Sequence, residues 1–297
     1  MTPSDELLGD PEDLNDREQA AVEAELRCLA DDEFVVAERY TEWQVRGPTL
    51  ESDIGIANIA QDELGHARLW YDLLEDFGYD QVDLIWERDP ADFRHSTMVE
   101  QPFESGDWAD CIVRGYFYDT YEHLRLESLT ETTYPRIADR VGKVVGEEDY
   151  HREHAQNWLE RLCEDGGTPK GSREGGEAAD GRERVQQAVD RLFPYALTLF
   201  ARTDREDDIV DLGIRPDSLS DLREEWRAIV SPFLAGLGVD VPVADRDELR
   251  PESVGRDGAH TDAWRSLYNE FTFTYEQLDR DESPALMPDP DEAESDV

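Results

Sequence analysis

The chain has 297 residues, of which 38% are hydrophobic, so it is long enough for one large domain or two small ones. Acidic residues number 73 against 29 basic residues, and the formal net charge is -44. A field of this sign repels nucleic-acid phosphates and anionic lipid, which argues against both as binding partners.

The aromatic content excludes a disordered acidic chain. Seven Trp, eleven Tyr and ten Phe lie within periodic helical segments. We therefore expect an acidic, solvated surface of the kind found in salt-adapted (halophilic) cytoplasmic proteins. No run of 18 apolar residues is present and the N-terminus lacks the features of a signal peptide, so we expect a soluble, cytoplasmic protein. The three cysteines are widely spaced, which indicates reduced core thiols.

Apolar residues recur with a helical period along most of the chain, and no convincing strand pattern is present. The first four predicted helices cover about 16–45, 52–77, 107–132 and 135–163, with Ser52 as the expected N-cap of the second. Three further helices are predicted at about 183–206, 217–235 and 260–280. Short turns pair the first four, and a longer crossover at about 80–106 separates the pairs, so we predict an all-α, ferritin-like four-helix bundle with additional C-terminal helices.

The domain boundaries follow from composition. Residues 1–17 and 282–297 are acidic and are expected to be flexible tails. Residues 18–281 form the predicted ferritin-like domain, and a Gly-rich stretch at about 164–182 is expected to be a surface insertion within it.

Two of the predicted bundle helices carry Glu-x-x-His inside apolar stripes, at 63–66 and at 148–151. Positions i and i+3 project from one face of a helix, so a carboxylate and an imidazole there can bind the same or adjacent metal ions. Burying an ionised carboxylate costs several kcal/mol unless it is paired or metal-bound. The doublet therefore predicts a carboxylate-bridged di-metal centre, with iron as the expected metal.

Such a centre needs one more carboxylate from each partner helix. On the first helix we expect Glu38, with Glu42 one turn further on as second choice. On the third helix Asp119 and Glu122 share an apolar face, and spacing alone does not choose between them, although Asp119 is narrowly favoured. The predicted metal ligands are Glu38, Glu63, His66, Asp119, Glu122, Glu148 and His151.

The remaining histidines are expected to be ordinary polar residues rather than ligands. These are His95, His123, His154 and His260. Of them, His154 follows His151 by three residues and could orient a ligand through a hydrogen bond.

Four segments resemble, in order and in spacing, the C-subunit family (PaaC) of ring 1,2-phenylacetyl-CoA epoxidases. The segments are IANIAQDELGHARLWYDLL, EQPFESGDWADCIVRGYFYDTYEHL, EEDYHREHAQNWLERL and GRDGAHTDAW. The resemblance extends from about residue 27 to about residue 280, apart from the Gly-rich insertion.

The resemblance implies a multicomponent monooxygenase made of a catalytic di-iron A subunit, a ferritin-like C subunit bound to it, and a flavin and iron-sulfur reductase. Such a complex inserts one oxygen atom of dioxygen across the aromatic ring of phenylacetyl-CoA, in aerobic phenylacetate catabolism. It also implies a hetero-oligomer in which the C subunit is a structural partner, because well-known bacterial members have lost their iron ligands.

This chain departs from those members, because it retains the residues expected of a di-iron ligand set: Glu38, Glu63, His66, Glu148 and His151. Three hypotheses follow: an epoxidase subunit with its own metal site, a non-catalytic scaffold of the same complex, and a stand-alone bundle of the ferritin or rubrerythrin kind. The last does not explain the long chain that follows the fourth helix.

Overall fold

The computed structural model describes residues 6–103, 106–164, 180–242 and 249–278. Its α-helices in chain order are α1 (Asp16–Thr41), α2 (Leu50–Glu75), α3 (Trp108–Leu129), α4 (Pro135–Glu164), α5 (Gly181–Ala196), α6 (Glu206–Asp211), α7 (Leu219–Gly236) and α8 (Asp262–Leu278). No strand occurs in these ranges. Because α1 packs on α2, α3 packs on α4, and α2 contacts α4, the predicted all-α, ferritin-like bundle is confirmed.

Local sequence signals fix where the bundle helices begin. A capping box of Asn15 and Glu18 starts α1, and Pro135 opens α4. The predicted N-cap of α2 is wrong: the cap is Thr49, whose hydroxyl accepts from the backbone N of Ser52 at 3.2 Å. Thr49 has the extended backbone that a cap requires, whereas Ser52 already lies in the first helical turn.

The predicted helix at 183–206 is broken into three parts. After α5 ends at Ala196, Leu197–Phe200 form a 3-10 helix, and α6 begins only at Glu206. A hydrogen bond to the crossover stabilises the chain at this break: the hydroxyl of Thr198 accepts from the backbone N of Met98 at 3.1 Å. Together α5 and α7 cover α3.

The crossover between α2 and α3 is held by the late segment before α8. A Cβ at Gly255 would lie 2.2 Å from the carbonyl O of His95, so only glycine fits there. Gly258 has φ +79°, and His260 Nδ1 lies 2.9 Å from Glu100 Oε2. The GRDGAH sequence therefore packs against the crossover and closes it over the bundle.

Buried ion pairs join α1 to distant parts of the chain. The pairs are Glu25 with Arg125, Asp31 with Arg88, and Asp32 with Arg256. All six side chains are almost fully buried. Each of these three acids thus has a guanidinium that satisfies it, which burial requires.

The ends of the predicted domain are only partly described. Within the predicted N-terminal tail, the backbone N of Leu8 donates to Thr133 O at 2.8 Å, and Pro11–Asp13 form a 3-10 helix. The predicted C-terminal tail, and most of the Gly-rich insertion at 165–179, lie outside the described residues. Where the helices are described, none is long and apolar enough to cross a membrane.

Candidate metal centre

The contact between α2 and α4 brings the two Glu-x-x-His motifs together in the bundle interior. Glu63, His66, Glu148 and His151 are each at most 2% exposed. The two imidazole rings lie 6.2 Å apart between centroids. Glu148 Oε1 stands between them, 3.2 Å from the Nδ1 atom of each ring. The motifs therefore face one another across a shared carboxylate.

A second carboxylate reaches each imidazole. Glu63 Oε1 lies 3.7 Å from His151 Nδ1, and Glu33 Oε2 of α1 lies 3.7 Å from His66 Nδ1. Ligand atoms of Glu33, Glu63, His66 and Glu148 all lie within 4.8 Å of one another, a spacing that could hold a metal ion.

The residue that α1 contributes is Glu33, and not the predicted Glu38. Five residues separate the two, which is about 140° around a helix, so they face different sides. Glu38 points towards α8, where burial and the charge of Glu270 raise its pKa to about 7. Glu42, the second choice, instead pairs with Arg39 and accepts from the backbone N of Phe103 at 3.3 Å.

Both predicted residues of α3 face the centre. Asp119 and Glu122 are each 2% exposed. Burial, followed by the charge of Glu148, raises the pKa of both carboxyl groups well above the ordinary range. The charge of His151 lowers the pKa of Asp119 in opposition to these effects. For Glu122, a hydrogen bond with Glu33 and the charge of His66 lower it. The two residues thus approach opposite ends of the cluster.

Two outer carboxylates hold the imidazoles from behind. His66 Nε2 donates to Glu147 Oε2 at 2.7 Å, and His151 Nε2 donates to Asp62 Oδ2 at 3.2 Å. Each of these acids directly precedes the Glu of the opposite motif in sequence. Because Nε2 of each ring faces an outer carboxylate, Nδ1 faces the inner carboxylates, as in metal-binding histidines whose second nitrogen is held by a hydrogen bond.

The charges inside the cluster are strongly coupled. Burial and neighbouring carboxylates raise the pKa of Glu33 and of Glu63 well above the usual range. Burial opposes ionisation of Glu148, but the two imidazoles outweigh it and hold its pKa at about 2. Burial likewise disfavours the charged imidazoles, yet the carboxylates raise the pKa of His66 and bring that of His151 to about 11.

The donor set fits a pair of divalent cations. Both carboxylate oxygens of Glu33, Glu63 and Glu148, and Nδ1 of both imidazoles, are buried without a hydrogen-bond partner among the described residues. With Asp119 and Glu122, five buried carboxylates surround two imidazoles. Two divalent ions would supply four positive charges and occupy the space towards which these orphaned atoms point.

The other histidines lie outside this centre. His95 and His260 form a second cluster with Glu100, whose two oxygens accept from both rings and from the backbone N of Thr261. That carboxylate is thereby satisfied by the protein itself. The expected orienting role of His154 falls instead to Asp62 and Glu147.

Sequence reasoning missed three residues of the centre, namely Glu33, Asp62 and Glu147. A signal for the last two exists, because an acid precedes the Glu of both motifs. No comparable signal singles out Glu33, which stands in a run of three buried acids, Asp31 to Glu33.

Comparison with known proteins gives matches that extend over most of the chain. A family model described as "Phenylacetic acid catabolic protein" matches residues 7–282. A curated relative from Escherichia coli (strain K12), the C subunit of 1,2-phenylacetyl-CoA epoxidase, is 30% identical over 237 residues, covering 79% of this chain and 88% of the relative.

Proposed function

We propose, on the ground that this chain belongs to the phenylacetic acid catabolic protein family, that it is the C subunit of an epoxidase acting on phenylacetyl-CoA. The Escherichia coli relative aligns with nearly its whole length, so the likeness is to the complete subunit and not to a shared helical core. In this role the chain supports a separate catalytic A subunit, which receives electrons from a reductase.

The proposal includes a di-iron site of the chain's own. Glu63 and Glu148, the Glu residues of the two motifs, would hold the ions together with Glu33, His66 and His151. Asp119 and Glu122 of α3, which are buried beside them, would complete the ligand set. A bound iron pair would supply the capacity to bind dioxygen and exchange electrons with it. Asp62 and Glu147 would keep the imidazole Nδ1 atoms directed inward.

The observation that carries the metal assignment is the set of buried, unpartnered carboxylate and imidazole atoms. Away from the centre, the buried acids Asp31 and Asp32 of the same helix each pair with an arginine. The inner acids Glu33 and Glu63 face one another and the imidazoles. A scaffold with no metal would have little reason to retain this arrangement at the cost of burying it.

We propose that the exposed apolar side chains of Val45, Leu50, Ile54 and Tyr150, on α2, α4 and the turn before α2, form an apolar face that docks the A subunit. These side chains are 49% to 87% exposed and account for most of the exposed large hydrophobic residues in the described ranges. A Cβ at Gly55 would lie 3.2 Å from His154 Nε2, so α2 and α4 meet closely beside Ile54. Large exposed apolar side chains are typical of protein interfaces.

The test is a double variant, Glu63→Ala with Glu148→Ala, compared with wild type in three measurements. Elemental analysis after reconstitution with Fe(II) should show loss of bound iron. Co-purification with the A subunit should be unchanged, because the apolar face is untouched. Full iron content in the variant would contradict the metal assignment, and failure of wild type to bind the A subunit would contradict the complex.

Turnover of phenylacetyl-CoA by the reconstituted complex then separates the two roles. We expect turnover to persist with the variant, since the A subunit is the proposed catalyst. Loss of turnover with the complex intact would instead make this centre part of the chemistry.

A further inference from the structure

A cavity of about 190 Å³ lies between the crossover, the start of α3 and the end of α5, away from the residues of the metal centre. Its lining includes Gln101, Phe103, Asp110, Arg114, Arg191 and Tyr195. The volume is several times the share of about 30 Å³ that one water molecule occupies in the liquid. There is room for a small polyatomic ligand.

Arg114 is the unusual member of this lining. Its side chain is 1% exposed, and its guanidinium carbon lies 3.8 Å from the centroid of the Phe103 ring. The ring covers one face of the guanidinium, but two of its nitrogens, Nε and Nη1, are buried with no hydrogen-bond partner in the described chain. Guanidinium N–H groups are strong hydrogen-bond donors to the oxygens of carboxylates and phosphates.

The nearby carboxylates are already engaged. Asp110 pairs with Arg191 and accepts from the backbone N of Asp107 at 2.7 Å. Glu42 pairs with Arg39. Burial, reinforced by the charge of Arg39, lowers the pKa of Arg114 to about 10, which still leaves it protonated at neutral pH.

The described lining therefore carries one positive charge in excess. In a chain with a formal charge of -44, a buried cation without an acid is an exception that calls for an anion.

We propose that this cavity is a binding site for a small oxyanion, a phosphate or carboxylate group, held by hydrogen bonds from Arg114. Tyr195 and Gln101 line the same space and offer further hydrogen-bond donors to it. The site shares no residue with the proposed metal centre or with the apolar face, so it stands or falls independently of both.

The test uses the full chain and measures thermal unfolding against added sodium phosphate or sodium acetate, with sodium chloride at equal ionic strength as reference. Chloride alone should stabilise so acidic a protein by screening, so only the excess over chloride counts. We expect a saturable excess for phosphate, acetate or both, and the stronger of the two identifies the preferred anion. Isothermal calorimetry with the same salts gives the dissociation constant.

Arg114→Met should remove the excess response, or weaken binding by about tenfold or more, while folding normally in chloride because a buried unpaired charge is lost. Arg202→Met is the matched control, since Arg202 pairs with Asp207 on the surface. It should keep the full response. Arg114→Lys, which retains charge without the planar fork, should bind more weakly than wild type and serves if the Met variant is unstable.

Coincident phosphate, acetate and chloride curves for wild type would overturn the proposal, as would an unchanged excess in Arg114→Met. Glu104 lies outside the described residues but directly follows Phe103 of the lining in sequence. A Glu104→Gln variant is therefore measured as well. If wild type shows no excess and Glu104→Gln gains one, the counter-ion is the chain's own carboxylate and the proposal fails.

Discussion

One carboxylate on α1 decides whether the centre receives a ligand from each of the four bundle helices. Glu33 is fully buried and faces His66, whereas Glu38 is only half-buried and faces Glu270 of α8. Both are glutamates on the same helix, so their chemistry is identical and only the direction of the side chain differs. The assignment of Glu33 can therefore be tested with a matched pair of substitutions.

Glu33→Gln should weaken Fe(II) or Co(II) binding by at least about tenfold, because even the loss of an outer hydrogen-bond partner commonly costs that much. Glu38→Gln should bind as wild type does. The measurement is metal titration followed by the absorbance of Co(II), which reports the number of ligands. Equal losses in the two variants would remove the basis for preferring Glu33.

The sequence indicated most of the centre, because Glu-x-x-His spacing directly encodes one face of a helix. It could not indicate the proposed ligand from α1, because that helix carries acids on several faces. The helical period of the apolar residues does not show which of these acids faces the centre. What separates Asp31 and Asp32 from Glu33 is the presence of Arg88 and Arg256, which reach them from far along the chain. Such pairings depend on tertiary packing alone.

At the scale of elements, the seam between α2 and α4 serves both the centre and the proposed interface. Asp62 and Glu147, which hold the imidazoles, are partly exposed along this seam, at 35% and 53% of their side chains. Ile54 and Tyr150 belong to the same two helices. A partner docked there would lie one layer of side chains from the proposed metal ligands.

Ile54→Asp should weaken co-purification with the A subunit, because a charge at the centre of an apolar interface must be desolvated on binding. Phe273→Asp is the matched control, since Phe273 is 59% exposed but lies on α8. Metal content and the melting temperature should be unchanged in both variants. A complex that survives Ile54→Asp and is lost with Phe273→Asp would move the interface to α8.

Helix α1 also carries an acid whose ionisation stabilises the fold. Burial would raise the pKa of Glu25, but the charges of Arg125 and Arg215 outweigh it and hold the pKa at about 2, against an ordinary 4.5. Because the folded-state pKa is depressed, this contribution is present above about pH 4.5 and is lost as pH falls from there to about 2. The shift corresponds to about 3 kcal/mol.

Glu25→Gln should therefore lower the free energy of unfolding at neutral pH and flatten its decline between about pH 4.5 and pH 2. Glu12→Gln, at an exposed position, should change neither. Urea unfolding at a series of pH values measures both quantities. A decline as steep in Glu25→Gln as in wild type would show that other carboxyl groups account for it.

The order of the helices could be predicted, whereas their interruptions could not. Apolar periodicity and Pro135 placed the bundle helices within a few residues of where they lie. The break after Ala196 depends on Thr198, whose hydroxyl accepts from Met98, about one hundred residues earlier in the chain. A contact between such distant segments leaves no periodic trace.

For the whole molecule, the formal charge of -44 is the dominant property. Like charges over one surface repel and oppose compaction. Salt shortens the screening length from about 10 Å at 0.1 M to about 3 Å at 1 M, so the repulsion between surface carboxylates fades over that range.

The melting temperature should therefore rise steadily with potassium chloride between about 0.1 M and 1 M. The buried pairs of α1 are shielded from solvent and should contribute little to this trend. Differential scanning calorimetry checks it. A flat profile would count against salt adaptation.

The buried pairs of α1 also constrain the order of events during synthesis. This helix leaves the ribosome before the other seven described α-helices, yet Arg125 is made 100 residues after Glu25, and Arg256 is made 224 residues after Asp32. Until each arginine emerges, burial of its acid would leave a charge unpaired. The nascent N-terminal half therefore has to keep α1 hydrated, and final closure of the bundle must follow translation of the last helices.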